Sequence, residues 1–314
     1  MALFFQLFIR RLFQFLLSLF CIVTITFFLM KALPGNPFLE EQAIPKEILD
    51  GLYRYYGLDE SLFSQYIKYL KGIVSLDLGP SFKFEGRCVN DIIRESFPIS
   101  FTIGFLALVF SVTCGLIIGT FSAYYRGKWQ DRIFSFFSTF GISIPSFLLA
   151  TFLQYFLALK WNLLPLARWG DLSHAILPAL SLSFLPMSFV ARLTRSQMIE
   201  VLEQDYILFS RSKGLSNYQI IKSHLLKNAL LPVITYVGHL SVSILTGSFV
   251  VEKIFGIPGL GFWFVNSIAN RDYTVIMGLT IFYSFMVMFM IFLVDLAYII
   301  LDPMIATKVK FQHD

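Results

Sequence analysis

Six long apolar runs alternate with polar segments along the chain. They cover residues 12–30, 99–123, 133–160, 175–191, 229–251 and 275–301. A helix needs about 20 apolar residues to cross the hydrocarbon core of a bilayer, and most of these runs reach that length. The pattern therefore predicts an all-α membrane protein, built as a bundle of six spanning helices.

The first run resembles a secretory signal peptide, because Arg10 and Arg11 precede it. However, the apolar stretch from Leu12 to Met30 is longer than the core of such a peptide, and no A-x-A cleavage site follows. We therefore interpret this run as an uncleaved anchor helix.

Two local patterns indicate where the helices meet. Pro178 and Pro186 interrupt the fourth run, and the backbone groups freed by proline must be satisfied by neighbouring helices. This predicts that the fourth helix lies inside the bundle. In the second run, Gly115 and Gly119 form a G-x-x-x-G pattern, which allows another helix to approach closely.

Basic residues are distributed unevenly between the connecting segments. Segments 124–132 and 192–228 carry three and six Lys or Arg residues, whereas 161–174 and 252–274 carry one and two. Cytoplasmic loops of membrane proteins are enriched in Lys and Arg. This bias predicts that both termini are cytoplasmic. In the long segment 31–98, residues Ile44 to Leu70 alternate apolar and polar positions at near-helical spacing, so we expect small helices packed on the outer face of the bundle.

Composition supports a membrane protein and argues against a nucleic-acid-binding protein and against a protein held together by disulfides or metal sites. Of 314 residues, 56% are hydrophobic and 14% charged, compared with about 25% charged in soluble domains. The net charge of +5 comes from residues in loops, without a basic stripe interleaved with aromatics, so we expect no nucleic-acid partner. The three cysteines have no disulfide or metal-site spacing.

The chain carries no recognisable motif for catalysis or nucleotide binding. It has no G-x-x-x-x-G-K-[ST] loop, no H-E-x-x-H pair and no G-x-S-x-G elbow. We therefore expect a transport subunit that is not an enzyme, has no ATPase site and binds no cofactor or metal itself.

Two other functional classes fit the sequence less well. An ATP-independent channel or carrier usually has paired charges inside its spanning helices, whereas Asp295 is the one acid well within a run and is more consistent with a structural carboxylate. A membrane-embedded hydrolase would need a facing nucleophile and base, and the sequence offers no such pair.

Segment 192–228 is patterned as a helix, a turn and a second helix. Gly214 is placed to end the first helix, and Ser216 to Gln219 has the spacing of a capping box for the second. Spacing alone leaves a solvated loop with helical ends as an alternative.

The amino-acid sequence of this segment resembles a known loop. Residues 205–216 read D-Y-I-L-F-S-R-S-K-G-L-S, and residues 224–232 read H-L-L-K-N-A-L-L-P. Both are similar to the EAA loop of binding-protein-dependent ABC importer permeases, particularly the dipeptide and oligopeptide branch. Ser210 and Ser212 depart from it, because the family usually has alanines there. Further similar stretches are Leu33 to Pro37, Asp77 to Ser81, Ser143 to Phe147, Val251 and Glu252, Pro258 to Gly261, Arg271 to Tyr273, and Asp295 to Pro303.

The resemblance implies a type I ABC importer permease fold with a small extracytoplasmic helical segment after the first helix. It divides the chain into an anchor and outer segment (1–98), a core transmembrane domain (99–305) with a coupling loop (192–228), and a cytoplasmic tail (306–314). The residues that it assigns to ATPase coupling are Asp205, Tyr206, Ser210, Arg211, Ser212, Lys213, Gly214, Leu215 and Ser216.

The resemblance also implies partners and a role. The expected function is half of the peptide pathway across a bacterial inner membrane, with ATP hydrolysed on a separate subunit. The expected partners are a second, distinct permease chain, two cytosolic ABC ATPases, an extracytoplasmic solute-binding protein and membrane lipid. Nickel, glutathione or a sugar remains an alternative cargo, and the substrate-binding residues are not identified.

Overall fold

The computed structural model describes residues 2–33, 46–214, 219, 226–245 and 247–301, and the elements within them are helical. In chain order they are α1 (Ala2–Ala32), α2 (Lys46–Tyr55), α3 (Leu62–Val74), α4 (Val89–Tyr124), α5 (Trp129–Ser143), α6 (Ser146–Leu153) with a π-helical extension (Gln154–Lys160), α7 (Ser173–Leu202), α8 (Asp205–Ser212), α9 (Leu226–Leu245), α10 (Phe249–Phe255), α11 (Leu260–Ala269) and α12 (Tyr273–Leu301).

The described residues provide four helices that are long and apolar enough to cross a membrane: Phe8–Ala32, Val89–Tyr124, Ser173–Leu202 and Tyr273–Leu296. Two bent pairs, α5 with α6 and α10 with α11, raise the number to as many as six if each pair is one span. This agrees with the predicted bundle of six helices and confirms the all-α membrane fold.

The third predicted run is not one straight helix. α5 and the helix that follows it are bent by 103° at their junction. Pro145 stands at the bend, and Ile144 before it has an extended backbone with φ −90° and ψ 120°. The ring of proline disfavours the helical region for the residue before it, and here Ile144 takes the extended conformation, so the helix ends and the chain turns.

The fifth predicted run also ends earlier than expected. α9 stops at Leu245, and residues 249–251 belong to the separate helix α10. Gly247 has a φ of +90°, which a right-handed helix cannot contain. The segment from Phe249 to Ala269, expected to be mostly an outer loop, is instead a helical hairpin whose two arms meet at 93°. We call it the bent hairpin.

α7 is the central helix of the bundle. It is uninterrupted through both of its prolines, and it packs against α4, α5, α6, α9 and α10. Half of its most apolar window is buried, compared with 11–28% for the other three spans. This confirms that the fourth run lies inside the bundle. α7 also extends to Leu202, so the first residues of segment 192–228 continue a spanning helix.

The close approach predicted for the second run occurs between α4 and α7. A Cβ atom on Gly115 would lie 2.7 Å from Val190 Cβ, and one on Gly119 would lie 2.5 Å from the carbonyl oxygen of Ala191. Both distances are too short for any side chain. The two glycines therefore allow the backbones of α4 and α7 to touch.

Gly119→Ala is expected to destabilise the protein by about 1–3 kcal/mol, because the added methyl group would force α4 away from α7. The control is Gly51→Ala in α2, where an added Cβ meets nothing within 4 Å and the change should stabilise by up to about 1 kcal/mol. Thermal unfolding in detergent measures both. Equal midpoints would contradict the tight α4–α7 contact.

The two ends of α4 mark the two ends of the molecule. Near its first residue, Val89 packs with Leu260 and Val275 in a cluster with the bent hairpin and α12. Near its last, Ala123 packs with Met198 and Ile207 in a cluster with α7 and α8. We call these the hairpin end and the coupling end.

Candidate coupling site

Helix α8 is short and begins and ends at recognisable positions. Asp205 lies in its first turn, where a negative charge is favoured by the helix dipole. The amide of Lys213 donates to the carbonyl of Phe209 at 3.1 Å. Gly214 then has a φ of +79°, the left-handed conformation that commonly terminates helices. The predicted stop at Gly214 is thus confirmed.

One face of α8 is fixed to the bundle. Ile207 is 0% exposed and lies in a cluster with Ala123 of α4 and Met198 of α7. Ser210, one turn later, is buried, and its hydroxyl donates to the carbonyl oxygen of Tyr206 at 2.7 Å. Ile207 therefore packs this face of α8 against the ends of α4 and α7.

The opposite face of α8 is open. Phe209 is 60% exposed and Tyr206 40% exposed, and the Lys213 ammonium lies 4.4 Å from the centre of the Phe209 ring. Exposed aromatic residues of this kind are characteristic of interaction surfaces. Sequence reasoning missed Phe209, although its spacing of three residues from Tyr206 puts both on one helix face.

An ion pair near the coupling end holds three helices together. Nε and Nη2 of Arg195 on α7 donate to the two carboxylate oxygens of Asp131 on α5 at 2.8 and 2.9 Å. The hydroxyl of Ser122 on α4 donates to the same carboxylate at 2.6 Å, and the amide of Gly127 donates at 2.9 Å. Such bidentate pairs combine strength with fixed geometry. We call this group the Asp131 junction.

A second buried carboxylate fixes the bent hairpin at the other end. Oε1 of Glu252 accepts from the Ser100 hydroxyl of α4 at 2.8 Å, and Oε2 accepts from the amide of Phe262 at 3.0 Å. The Ser100 oxygen in turn accepts from the amide of Leu260 at 2.9 Å. A Cβ on Gly259 would lie 2.5 Å from Glu252 Oε2, so glycine is required beside this carboxylate.

The outer segment is attached through a third buried acid. Asp272, at the start of α12, accepts hydrogen bonds from the Ser81 hydroxyl and from the amide of Phe82 at 3.2 Å. It also accepts from Thr274 Oγ1 at 2.9 Å. Two stretches that were noted separately in the sequence, Asp77 to Ser81 and Arg271 to Tyr273, are therefore in direct contact.

The acid expected to be structural is paired. Asp295 Oδ2 of α12 lies 3.0 Å from Arg11 Nη1 of α1.

Among the described residues no group of three or more His, Cys, Asp or Glu side chains could hold a metal ion.

Comparison with known proteins decides the family. Residues 115–307 match the model of the binding-protein-dependent transport system inner membrane component, and residues 4–104 match the model of its N-terminal region. The chain belongs to this family. It is a multi-pass permease of the inner membrane, as the resemblance implied.

Relatives align with the permease over nearly its whole length. The dipeptide transport system permease protein DppB of Bacillus subtilis is 49% identical over 302 residues, which cover 96% of this chain and 98% of the relative. The oligopeptide transport system permease protein OppB of Haemophilus influenzae is 41% identical, covering 94% and 97%.

Two solved structures share the fold of the permease. The chain resembles a chain of the MetNI methionine ABC transporter in inward-facing conformations, with a TM-score of 0.57, 18% identity and coverage of 67% and 96%. It also resembles a chain of an amino acid ABC transporter, with a TM-score of 0.53, 16% identity and coverage of 66% and 92%.

The structure brings most of the predicted coupling residues together on or after α8. Their docking role remains a prediction. Ser210 is buried, so it does not lie on the open face of α8. Leu215 and Ser216, and with them most of the predicted capping box, lie outside the described residues, as does the side chain of Arg211. The predicted coupling residues that the structure describes in full are Asp205, Tyr206, Ser210, Ser212, Lys213 and Gly214.

Proposed function

We propose that the permease forms half of the pathway by which an ABC importer carries dipeptides or oligopeptides into the cell, with ATP hydrolysed on separate subunits. It works with a second, distinct permease chain, two cytosolic ATPases and an extracytoplasmic binding protein. The chain itself binds no cofactor and catalyses no reaction. The peptide cargo is supported by the names of the two relatives, both described as peptide transport permeases.

The orientation of the permease in the membrane follows from the distribution of basic residues. Arg126, in the basic loop between α4 and α5, pairs with Glu203 beside α8 at 2.6 Å, so this loop and α8 lie at the same end of the bundle. Both segments are rich in Lys and Arg, which are concentrated in cytoplasmic loops. We therefore assign the coupling end and both termini to the cytoplasm, and the hairpin end to the outside.

One observation carries the coupling mechanism: α8 is anchored on one side through Ile207 and open on the other through Phe209. An ATPase that docks on the open side can displace α8 only by moving the ends of α4 and α7 with it. The Asp131 junction adds α5 to the same unit. ATP-driven motion of the ATPases thus shifts three spanning helices together, which opens the pathway alternately to the two sides.

The test is Gly214→Pro in the complete transporter reconstituted in vesicles. Proline cannot adopt the φ of +79° found at this position, so the chain must leave α8 in another direction. We expect normal membrane insertion but a large loss of peptide uptake per ATP hydrolysed. Uptake of a labelled dipeptide and release of phosphate, measured on the same vesicles, give this ratio.

Gly86→Pro is the matched control. Gly86 also has a positive φ, +73°, with open space where a Cβ would stand, but it lies in the outer segment. Replacing Gly86 with proline imposes the same backbone conflict away from α8 and should leave the ratio of peptide uptake to ATP hydrolysis unchanged. Normal coupling in Gly214→Pro would remove the coupling role from this loop. Uptake of nickel but not of peptides by the unmodified transporter would reject the cargo.

A further inference from the structure

Helix α3, in the outer segment, carries an apolar stripe that the transport mechanism does not explain. Phe63, Ile67, Leu70 and Val74 are spaced by four, three and four residues, which places them on one face of the helix. The two ends of the stripe are strongly exposed, Phe63 at 74% and Val74 at 86%. Large apolar side chains at such exposure indicate a surface that meets something other than water.

A second face of α3 is bound to the outer turns of the anchor helix α1. The Tyr66 hydroxyl is 2.7 Å from Thr24 Oγ1, and the rings of Tyr66 and Tyr69 each lie 5.3 Å from that of Phe27. The Lys31 ammonium donates to the side-chain oxygen of Gln65. α3 is therefore held beside α1 by residues 65, 66 and 69, which lie on a different side of the helix from the stripe.

These contacts fix the depth of α3. The span Phe8–Ala32 contains 25 residues, or roughly 37 Å at about 1.5 Å per residue, which exceeds a hydrocarbon core of about 30 Å. Thr24 lies about 12 Å along the axis from the end of this span. If the core is centred on the span, its outer boundary lies between Thr24 and Lys31, so a helix bonded to both residues reaches the level where acyl chains meet headgroups.

The third face of α3 is polar. Ser64, Lys68, Lys71 and Ser75 follow the four stripe positions by one residue each, so they form a parallel row that is turned by about 100°. Lys68 pairs with Glu60, and the side of the helix that carries Lys71 is exposed. An apolar stripe beside a row of lysines is typical of helices that lie in the plane of a membrane interface.

The surface next to the stripe supports lipid rather than protein as its occupant. α1 packs along α12, yet only 11% of its most apolar window is buried. Ile25, Phe28 and Leu29, near the contact with α3, are all exposed. On a spanning helix such an exposed apolar surface is suited to contact with acyl chains, and the Phe28 ring lies 5.4 Å from that of Tyr66. The lipid-facing surface of α1 is thus continuous with α3.

We propose that α3 is an interfacial helix, with the stripe from Phe63 to Val74 immersed in the outer leaflet and Lys68 and Lys71 among the lipid phosphates. The immersed helix sets the height of the segment that follows it. Ser81 in that segment is bonded to Asp272 at the start of α12. The membrane surface, α3 and the hairpin end are thereby kept in a fixed relation while the coupling end moves.

Spin labels on neighbouring residues test this proposal. In the complete transporter, with Cys21, Cys88 and Cys114 replaced by alanine or serine, single cysteines are introduced at Phe63 or Ser64 and at Val74 or Ser75. Vesicles contain phosphatidylethanolamine and phosphatidylglycerol. The two labelled positions of each pair are adjacent in sequence, but the first should face acyl chains and the second should face the polar side of the helix. A label at Phe20, an exposed mid-span residue of α1, gives the value for lipid.

Oxygen, which concentrates in the bilayer, and a water-soluble nickel chelate are the two collision reagents. We expect the ratio of oxygen to nickel collisions to be several-fold higher at positions 63 and 74 than at 64 and 75, approaching the value at position 20. Equal ratios within each pair would overturn the proposal, because the stripe would then be in water. Shielding of positions 63 and 74 from both reagents would also overturn it, since a protein surface would then cover the stripe.

Discussion

Asp131→Ala is expected to lower the free energy of unfolding by about 3–5 kcal/mol, as for other buried pairs that lose one partner. The carboxylate is 7% exposed and its partner Arg195 is 32% exposed. Removing Asp131 leaves the guanidinium of Arg195 without its bidentate acceptor and frees the Ser122 hydroxyl and the Gly127 amide. Because α4, α5 and α7 meet there, we also expect transport to be lost. Thermal unfolding in detergent and uptake in vesicles measure the two effects.

Two further variants isolate the cause. Arg126→Ala breaks an ion pair at the same end whose side chains are 53% and 63% exposed, and exposed pairs contribute only about 0–1 kcal/mol. The double variant Asp131→Leu, Arg195→Met leaves neither charge unpaired, so it should recover much of the lost stability. A single variant no less stable than Arg126→Ala would show that the Asp131 junction does not hold the helices.

Glu252→Ala is the second change from which we expect a large effect. It deprives the Ser100 hydroxyl and the Phe262 amide of their buried acceptor. Each unsatisfied buried group costs about 1–3 kcal/mol, so the expected loss is about 2–6 kcal/mol. The bent hairpin would also separate from α4, and we expect faster proteolysis between Phe249 and Ala269 as well as reduced uptake.

The graded control is Glu252→Gln. The glutamine amide oxygen still accepts one hydrogen bond and the side chain fills the site, so the loss of stability should be smaller than for Glu252→Ala. Glu95→Ala removes an exposed acid at the same end of α4 and should change stability little. If Glu252→Ala and Glu95→Ala had the same thermal midpoint and the same proteolysis rate, Glu252 would not fasten the hairpin.

Much of the fold could be predicted because the bilayer imposes a simple rule. Backbone groups in lipid must be hydrogen-bonded inside the protein, and a helix achieves this within one segment, so a long apolar run is expected to be mostly helical. The prolines of α7 indicated a central helix, and Gly115 and Gly119 indicated a close contact. The extent of the helices was less accessible: α4 begins at Val89 and α7 continues to Leu202, because polar residues at helix ends do not appear in an apolar run.

The candidate site was predicted unevenly for a similar reason. Gly214 could be recognised because a helix stop is a local property of the backbone. Phe209 could have been found from its spacing to Tyr206. The Asp131 junction could not, since Asp131 and Arg195 are separated by 64 residues and nothing in either neighbourhood identifies the other. Ser100 and Glu252, 152 residues apart, present the same difficulty.

The sequence by itself determined the properties that depend on neighbours along the chain: which segments are apolar enough to span a membrane, where a helix must stop, which connecting segments are basic, and which family the sequence resembles. The tertiary structure alone decided which acids are buried, which face of α8 is free, and that residues 249–269 fold as a bent hairpin. The physical reason is that a carboxylate can be buried only where donors from distant segments converge on it. That convergence is a property of the packed bundle and leaves no mark on any single stretch of sequence.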